Sequence, residues 1–539
     1  MGLFLIRKTP LTLHLILLTV RRRIMNLQSD VSLFLKDSLT HRTIPIAETF
    51  TVDTITPIQM VEKLDRNITY LLESKDESSS WSRYSFIGLD PFITIKESHN
   101  TFTAADPNGH TLFEAGELKA VLDWMNESFR IKTPELDIPF SGGAVGYLSY
   151  DMIPLIEPSV PSHAKVTDFE KCMLFVCRKI IAYDHETKQV HFIQYAELNG
   201  RETEEEKRAV FKENCAELRK LIGILTESKD MKEPFFSKET FDTPSFAAVT
   251  SNYTKEEFMA GVNKLKEYIK AGDIFQGVLS QKFDIPVSRH SFELYRVLRI
   301  VNPSPYMYYI KLPDRDIVGS SPERLIRVHD RHLEIHPIAG TRRRGAGKEE
   351  DERLKKELMN DEKEKAEHYM LVDLARNDIG RVAEYGSVAV PEFTKVVSFS
   401  HVMHIISVVT GRLKQGIHPV DALMSAFPAG TLTGAPKIRA MQLLNELEPT
   451  SRETYGGCIA YIGFDGSIDS CITIRTMSVK NGTASVQAGA GIVADSVPEA
   501  EYEESCNKAG ALLKTIQIAE DIFSGGEEKT DEQISAIVR

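Results

Sequence analysis

Apolar residues recur at helical spacing from Phe258 through Val262, Leu265 and Ile269, with charged residues between them. One face is apolar and the rest polar, the pattern of a helix packed on a core. Thr254-Lys255-Glu256-Glu257 opens it as a capping box: the Thr hydroxyl accepts a free backbone N–H and Glu257 reaches back. Gly272 ends the run. The next stretch, DIFQGVLSQKFDIPV, loses this period and reads as a strand. A second long helical pattern covers 201–226. SGGAVGYLSYD (141–151) is a strand-like run punctuated by Gly142, Gly143 and Gly146, and YGGCIAYIGFDG (455–466) echoes its Gly-Gly and aromatic spacing.

Two acidic stretches follow the same helical logic. Ser496-Val497-Pro498-Glu499 reads as another capping box, with Pro in the first turn, where a missing N–H costs little. Beyond it Glu501, Glu504 and Lys508 share one face, while Tyr502, Cys506, Ala509 and Leu513 form another. Upstream, DEKEKAEHYMLVDLARND places Glu364 and Glu367 one turn apart, with Leu371 and Leu374 continuing the period. Carboxylates at this spacing suit Mg²⁺, which keeps several waters and takes one or two protein ligands. A solvated charged face is the competing reading, and spacing leaves both open. Three other strings are equally double-edged. TRRRG (341–345) is an anion site or a solvated loop. GAG (489–491) is a turn, or backbone N–H groups offered to a carboxylate. His404 sits among apolar residues in VMHIISVV, where a lone His is more often a core residue than a catalyst.

The breaks divide the chain. ESKDMKEPFFSKETFDTPSF is charged, Pro-containing and aperiodic, a linker between a unit at 25–240 and one at 241–520. Residues 521–539 read as a flexible tail. In residues 1–24 the apolar LTLHLILLTV is far shorter than the ~20 residues a membrane span needs, and no A-x-A-like cleavage site follows. These residues are read as a leader outside the working chain, which starts near Met25.

Composition narrows the function. The 65 Lys and Arg against 77 Asp and Glu leave a net charge of −12, the wrong sign for a general nucleic-acid binder. Six scattered cysteines without a CxxC pair make neither a disulfide framework nor a structural zinc site, and fit a reducing cytosol. No GxxxxGK[ST] string is present for a nucleotide phosphate.

Several strings then occur in order: LLES, RYSFIG, SPERLI, HPIAGTRRRG, AEHYMLVDLARNDIGRV, VMHIISVVTG, FPAGTLTGAPKIRAMQLL, YGGCIAYIGFDG, IRTM and QAGAGIVADSVPEAEYEES. Together they resemble the chorismate-utilising enzymes, most closely the anthranilate synthase component I branch. The resemblance implies an α+β fold of two intertwined domains, with large antiparallel sheets packed against helices. It implies Mg²⁺ held by Glu367 and Glu504, with Glu364 and Glu501 as neighbours. Chorismate would contact Gly340, Thr341, Tyr455, Arg475, Gly489, Ala490 and Gly491. His404 would act as general acid/base, and Thr431 would hydrogen-bond near the reacting ring. Ser74, Pro305, Tyr306 and Met307 would form a tryptophan feedback site, although NPSPYM also reads simply as a turn feeding a strand.

Two positions separate family members. Water-activating relatives carry Lys where this chain has Gln276, and an amide cannot take that proton. Aminodeoxychorismate synthases read PIKGT, with a Lys that can act as nucleophile, where this chain has Ala339. What remains is ammonia adding at ring C2, loss of the C4 hydroxyl, and elimination of pyruvate to give anthranilate. A class I glutaminase needs a G-x-C-x-G elbow, and the nearest string, GGCIA around Cys458, lacks its last Gly and reads as a strand. The resemblance therefore implies a separate glutamine amidotransferase subunit, in a heterotetramer with two copies of each chain. The alternatives are an aminodeoxychorismate synthase component I and a catalytically inactive tryptophan-sensing subunit.

Overall fold

The computed structural model describes residues 30–75, 80–165, 169–227, 249–398 and 402–523. The leader, nearly all of the linker and the tail beyond Phe523 lie outside these residues. The helix opened by Thr254 spans Lys255–Ala271. The Thr254 hydroxyl accepts the Glu257 N–H at 3.2 Å, and the Glu257 carboxylate accepts the Thr254 N–H at 2.9 Å. Gly272 closes it with φ 84°, a left-handed conformation that glycine adopts without strain. The strand that follows runs Gln276–Pro286, and the earlier periodic segment is the helix Glu204–Thr226.

The acidic helices span Glu362–Gly380 and Pro498–Phe523. The capping box expected at Ser496–Glu499 is not formed. Glu499 pairs at 2.6 Å with Lys255 of the neighbouring helix, and Ser496 Oγ accepts the Val493 N–H at 3.0 Å. A cation within reach outcompetes a backbone N–H for the carboxylate.

Among the described residues, 22 strands hydrogen-bond into one network whose ladders are antiparallel. Strands from either side of the linker alternate within it. Tyr70–Glu73 pairs with Tyr306–Lys311, and Gly143–Leu148 pairs with Cys458–Gly463. This is the α+β fold with interleaved halves. The two echoing Gly-Gly strings are thus neighbours, and contact chemistry explains the echo. A Cβ on Gly143 would sit 2.1 Å from the Ile462 carbonyl oxygen, and one on Gly457 would sit 2.2 Å from that of Leu148. Only glycine lets these backbones approach so closely. All six thiols are free, with Cys458 buried in its strand. No described helix is long and apolar enough to cross a membrane.

The Pro498–Phe523 helix buries Leu512, Leu513 and Ile516 in a core shared with Phe283 and Val486. Each such side chain contributes ~1.5–3 kcal/mol, which anchors this acidic helix over the strands Gln276–Pro286 and Thr483–Ile492. A buried ion pair ties in the next segment. Arg452 bonds Glu448 at 2.6 Å and donates to the carbonyls of Leu432 and Val278 at 2.7 and 2.8 Å. Arg452→Met leaves Glu448 buried without its cation, and is expected to cost ~3–5 kcal/mol of unfolding free energy, read as a lowered urea midpoint.

Candidate active site

The strand Val402–Arg412 carries His404 and pairs with Ile338–Arg343, placing Thr341 directly opposite it. The register shifts between Ala339 and Thr341, and Gly340 takes φ 67° there. This bulge turns the Gly340 carbonyl toward the imidazole. His404 Nδ1 lies 2.9 Å from that oxygen and 3.2 Å from Thr341 Oγ1. A carbonyl only accepts, so Nδ1 carries the hydrogen and Nε2 is the basic nitrogen. Burial lowers the His404 pKa, the Gly340 bond opposes this, and the Arg475 cation lowers it further. The ring is therefore a neutral base rather than an imidazolium.

Glu323 had no role in the sequence reading beyond its place in SPERLI. It lies between the strands Asp316–Ser321 and Arg324–His329. Thr431 Oγ1 donates to its carboxyl at 2.9 Å. Enclosure by protein pushes its pKa up to about 7, against the opposing effects of Thr431, Arg475 and Lys508. Glu323 thus holds a proton near neutrality and stands in the field of two cations. Arg475 adopts φ 49°, unusual for a non-glycine residue, and burial lowers its pKa.

The strand Thr483–Ile492 contains Gly489, Ala490 and Gly491, which face Ser280, Leu279 and Val278 in register. GAG is therefore strand, not turn. The other edge of this strand pairs with Thr476–Lys480 through Val486 only. From 487 onward that edge has no strand partner among the described residues, so its polar backbone faces the site. Lys508 Nζ reaches it, donating to the Gly489 carbonyl at 3.0 Å, and also pairs with Glu504 at 2.7 Å.

Glu367 lies on the Glu362–Gly380 helix. Burial raises its pKa, the facing carboxylates of Glu364 and Glu504 raise it further, and a hydrogen bond from Gln276 opposes them. Glu501 is likewise raised, first by burial. Among the described residues no three histidines, cysteines or carboxylates gather into a ready-made cation cage. What the two helices share is a concentration of negative charge around a half-buried Glu367. That donor set fits a hard cation that keeps most of its waters.

TRRRG is not an open anion site, and its first three residues continue the strand Ile338–Arg343 with Arg343 still largely exposed. Its arginines pair with acids on the adjoining helices: Arg342 with Asp361 at 2.6 Å and Glu364 at 3.2 Å, Arg343 with Glu350, and Arg344 with Asp351. Tyr455 is buried in the core cluster that includes Leu432, next to Thr431, and the Arg452 guanidinium lies 5.5 Å from its ring.

A second cavity lies where the halves interleave, with about 640 Å³ of atom-free space counting its open mouth. Ser74, Pro305, Tyr306 and Met307 all line it, with Glu73 and Arg324. The pairing Met307↔Glu73 and a hydrogen bond from the Lys75 N–H to the Ser304 carbonyl at 3.1 Å hold its two walls together.

Residues 72–514 match the family model described as chorismate binding enzyme. The chain is 77% identical over 515 residues to anthranilate synthase component 1 of Bacillus subtilis (strain 168), covering 96% of this chain and 100% of the relative. The crystal structure of anthranilate synthase component I from Streptococcus pneumoniae TIGR4 superposes with a TM-score of 0.67 at 35% identity, covering 86% of this chain and 98% of that one. The menaquinone-specific isochorismate synthase of Escherichia coli shares the fold, with a TM-score of 0.65 at 18% identity over 90% of this chain and 98% of that one. Taken with the site geometry, these matches place the chain in the anthranilate synthase component I family of chorismate-binding enzymes.

Proposed function

We propose that this chain is the aminating subunit of anthranilate synthase. It converts chorismate and ammonia to anthranilate, pyruvate and water, the first step of tryptophan biosynthesis. Glutamine hydrolysis by a partner amidotransferase subunit supplies the ammonia, in a cytoplasmic heterotetramer with two copies of each chain. The observation that carries this reading is the pair Gln276 and Ala339. Gln276 sits beside Glu367, and Ala339 lies in the strand that bears Thr341. Neither side chain can activate water or attack the ring, so ammonia is left as the nucleophile.

The residues divide the chemistry. Arg475 and the backbone of Gly489, Ala490 and Gly491 bind the enolpyruvyl carboxylate, while Gly340, Thr341 and Tyr455 complete the pocket. As the C2–N bond forms and the ring double bonds shift, the C4–O bond breaks. Glu323, oriented by Thr431, gives its proton to the departing oxygen, which leaves as water. His404 Nε2 then takes the C2 hydrogen as the C3–O bond breaks, leaving the aromatic ring; the departing enolpyruvate takes up one proton, equal to the one lost from C2, and becomes pyruvate. Mg²⁺, held by Glu367 and Glu504 with Glu364 and Glu501 beside them, would supply positive charge opposite the ring carboxylate.

The purified chain, given chorismate, Mg²⁺ and ammonium at alkaline pH with no partner, is expected to generate anthranilate fluorescence. EDTA abolishes the signal and excess Mg²⁺ restores it. Chorismate consumed to 4-amino-4-deoxychorismate instead would overturn the reading.

The second cavity is the tryptophan feedback site in this reading. Its apolar walls suit an indole, and the Ser74 hydroxyl suits the polar end of the ligand. Ser74→Arg fills the pocket mouth and is expected to raise the tryptophan concentration for half-inhibition at least ~10-fold, with the uninhibited rate intact. Unchanged inhibition in an ammonia-driven assay counts against the site.

A further inference from the structure

The cavity and the acid meet at one peptide. Glu323 and Arg324 are consecutive, yet their side chains leave the backbone toward different sites. Glu323 takes its hydrogen bond from Thr431 and lies in the field of Arg475 and Lys508. Arg324 turns the other way, into the cavity wall. Its Nε donates to the Tyr306 hydroxyl at 2.7 Å, and that hydroxyl donates to Asp469 at 2.9 Å. The far end of the guanidinium pairs with Glu334 and lies 3.3 Å from His336 Nε2. His336 stands two residues before the strand Ile338–Arg343, which carries Ala339, Gly340 and Thr341.

One guanidinium, only 9% exposed, therefore ties three things together. It holds the Tyr306 wall of the cavity, it is covalently joined to the residue that bears the proton, and it braces the approach to the Gly340–His404 contact. The backbone is irregular here too. The register of Arg324–His329 against its neighbouring strand shifts between Arg324 and Ile326. A bulge re-aims side chains and leaves the local ladder less constrained. A ligand that displaces Tyr306 takes away the hydroxyl that Arg324 Nε binds, and leaves Arg324 to Glu334 and to Asp469 at 3.8 Å.

We propose that Arg324 is a positioning residue for Glu323, and that a ligand in the cavity inhibits by breaking the Arg324–Tyr306 contact and drawing Glu323 away from the departing oxygen. The proposal rests on reading the cavity as the tryptophan site and Glu323 as the proton donor. Coupling then resides in a contact with two arrangements, made when the cavity is empty and broken when it is filled.

Tyr306→Phe is the gentlest test. It keeps the ring that lines the cavity and removes only the oxygen that Arg324 holds. On the full chain, tryptophan binding is measured by calorimetry, and ammonia-driven anthranilate formation is measured at saturating tryptophan. The expected result is a Kd within about threefold of wild type, an uninhibited kcat already lowered because the contact is missing from the start, and a further loss at saturating tryptophan reduced at least ~10-fold. Arg324→Met is expected to give the same uncoupling and the same lower uninhibited kcat, at unchanged chorismate KM. A variant that merely damaged the cavity would not move kcat alone. Complete inhibition at saturation in both variants overturns the proposal. So does loss of inhibition that only tracks loss of binding, since the two residues would then just line the wall. Wild-type protein that neither binds nor responds to tryptophan would instead refute the feedback-site reading itself.

Discussion

Glu323→Gln is expected to lower kcat for anthranilate formation by ~10²–10⁴, the usual worth of a positioned proton donor. Chorismate KM should change little. Gln keeps the size of Glu and can still accept from Thr431, but it has no proton to give a departing oxygen. The pH dependence separates this from a packing effect. Protein enclosure pushes the Glu323 pKa up to about 7, so the proton is present below that pH and is lost as pH rises through it. Since kcat/KM reports the free enzyme, its profile for chorismate, taken at constant free ammonia, should fall above pH ~7 in wild type. In Glu323→Gln that falling limb disappears. A variant that keeps both the rate and the limb would remove Glu323 from the chemistry.

Glu367→Gln is expected to raise the Mg²⁺ concentration for half-activity by at least ~10–100-fold, the loss seen even for groups that only orient a metal ligand. A second readout needs no turnover. The Glu367 carboxyl titrates higher in the folded chain than in the unfolded one, first because it is buried and then because Glu364 and Glu504 face it. Its ionisation therefore destabilises the metal-free fold. The penalty begins above the unfolded pKa of ~4.3 and levels off above the folded one. At pH 7–8 the metal-free variant should melt no lower than metal-free wild type, and Mg²⁺ should raise the Tm of wild type far more than that of the variant. Equal stabilisation of both by Mg²⁺ would exclude Glu367 as a ligand.

Legibility differed from element to element. The helix opened by Thr254 was readable to its ends, because cap, apolar face and stop signal all lie within a few residues of the groups they satisfy. The Ser496–Glu499 box had the same local signature and failed. Lys255 lies 244 positions away along the chain and captured the glutamate. The acidic faces were readable as faces, but their opposition was not. That Glu504 bears on Glu367 follows from how two helices sit over the sheet, whereas Glu364 is one turn away on the same helix. Gly489–Gly491 could be named as backbone donors or a turn, and register alone decided for a strand edge. Glu323 was overlooked because a single Glu after a Ser-Pro pair carries no periodic signal. The one hint was a charged residue wedged between two strand-like apolar runs.

By itself the sequence determined the periodic helices and strands, the glycines that pair Gly143–Leu148 with Cys458–Gly463 as echoing strings, the acidic faces and the family. Those features are written in spacings of two to four residues, or in ordered motifs. Only the tertiary structure decided what each charge faces. Thr431 reaches Glu323 across 108 positions, His404 meets Gly340 across 64, and Arg324 reaches Tyr306 across 18. A pKa, a tautomer and a coupling contact are properties of such distant pairs, set by burial and by the charges that folding brings alongside, and no local pattern encodes them.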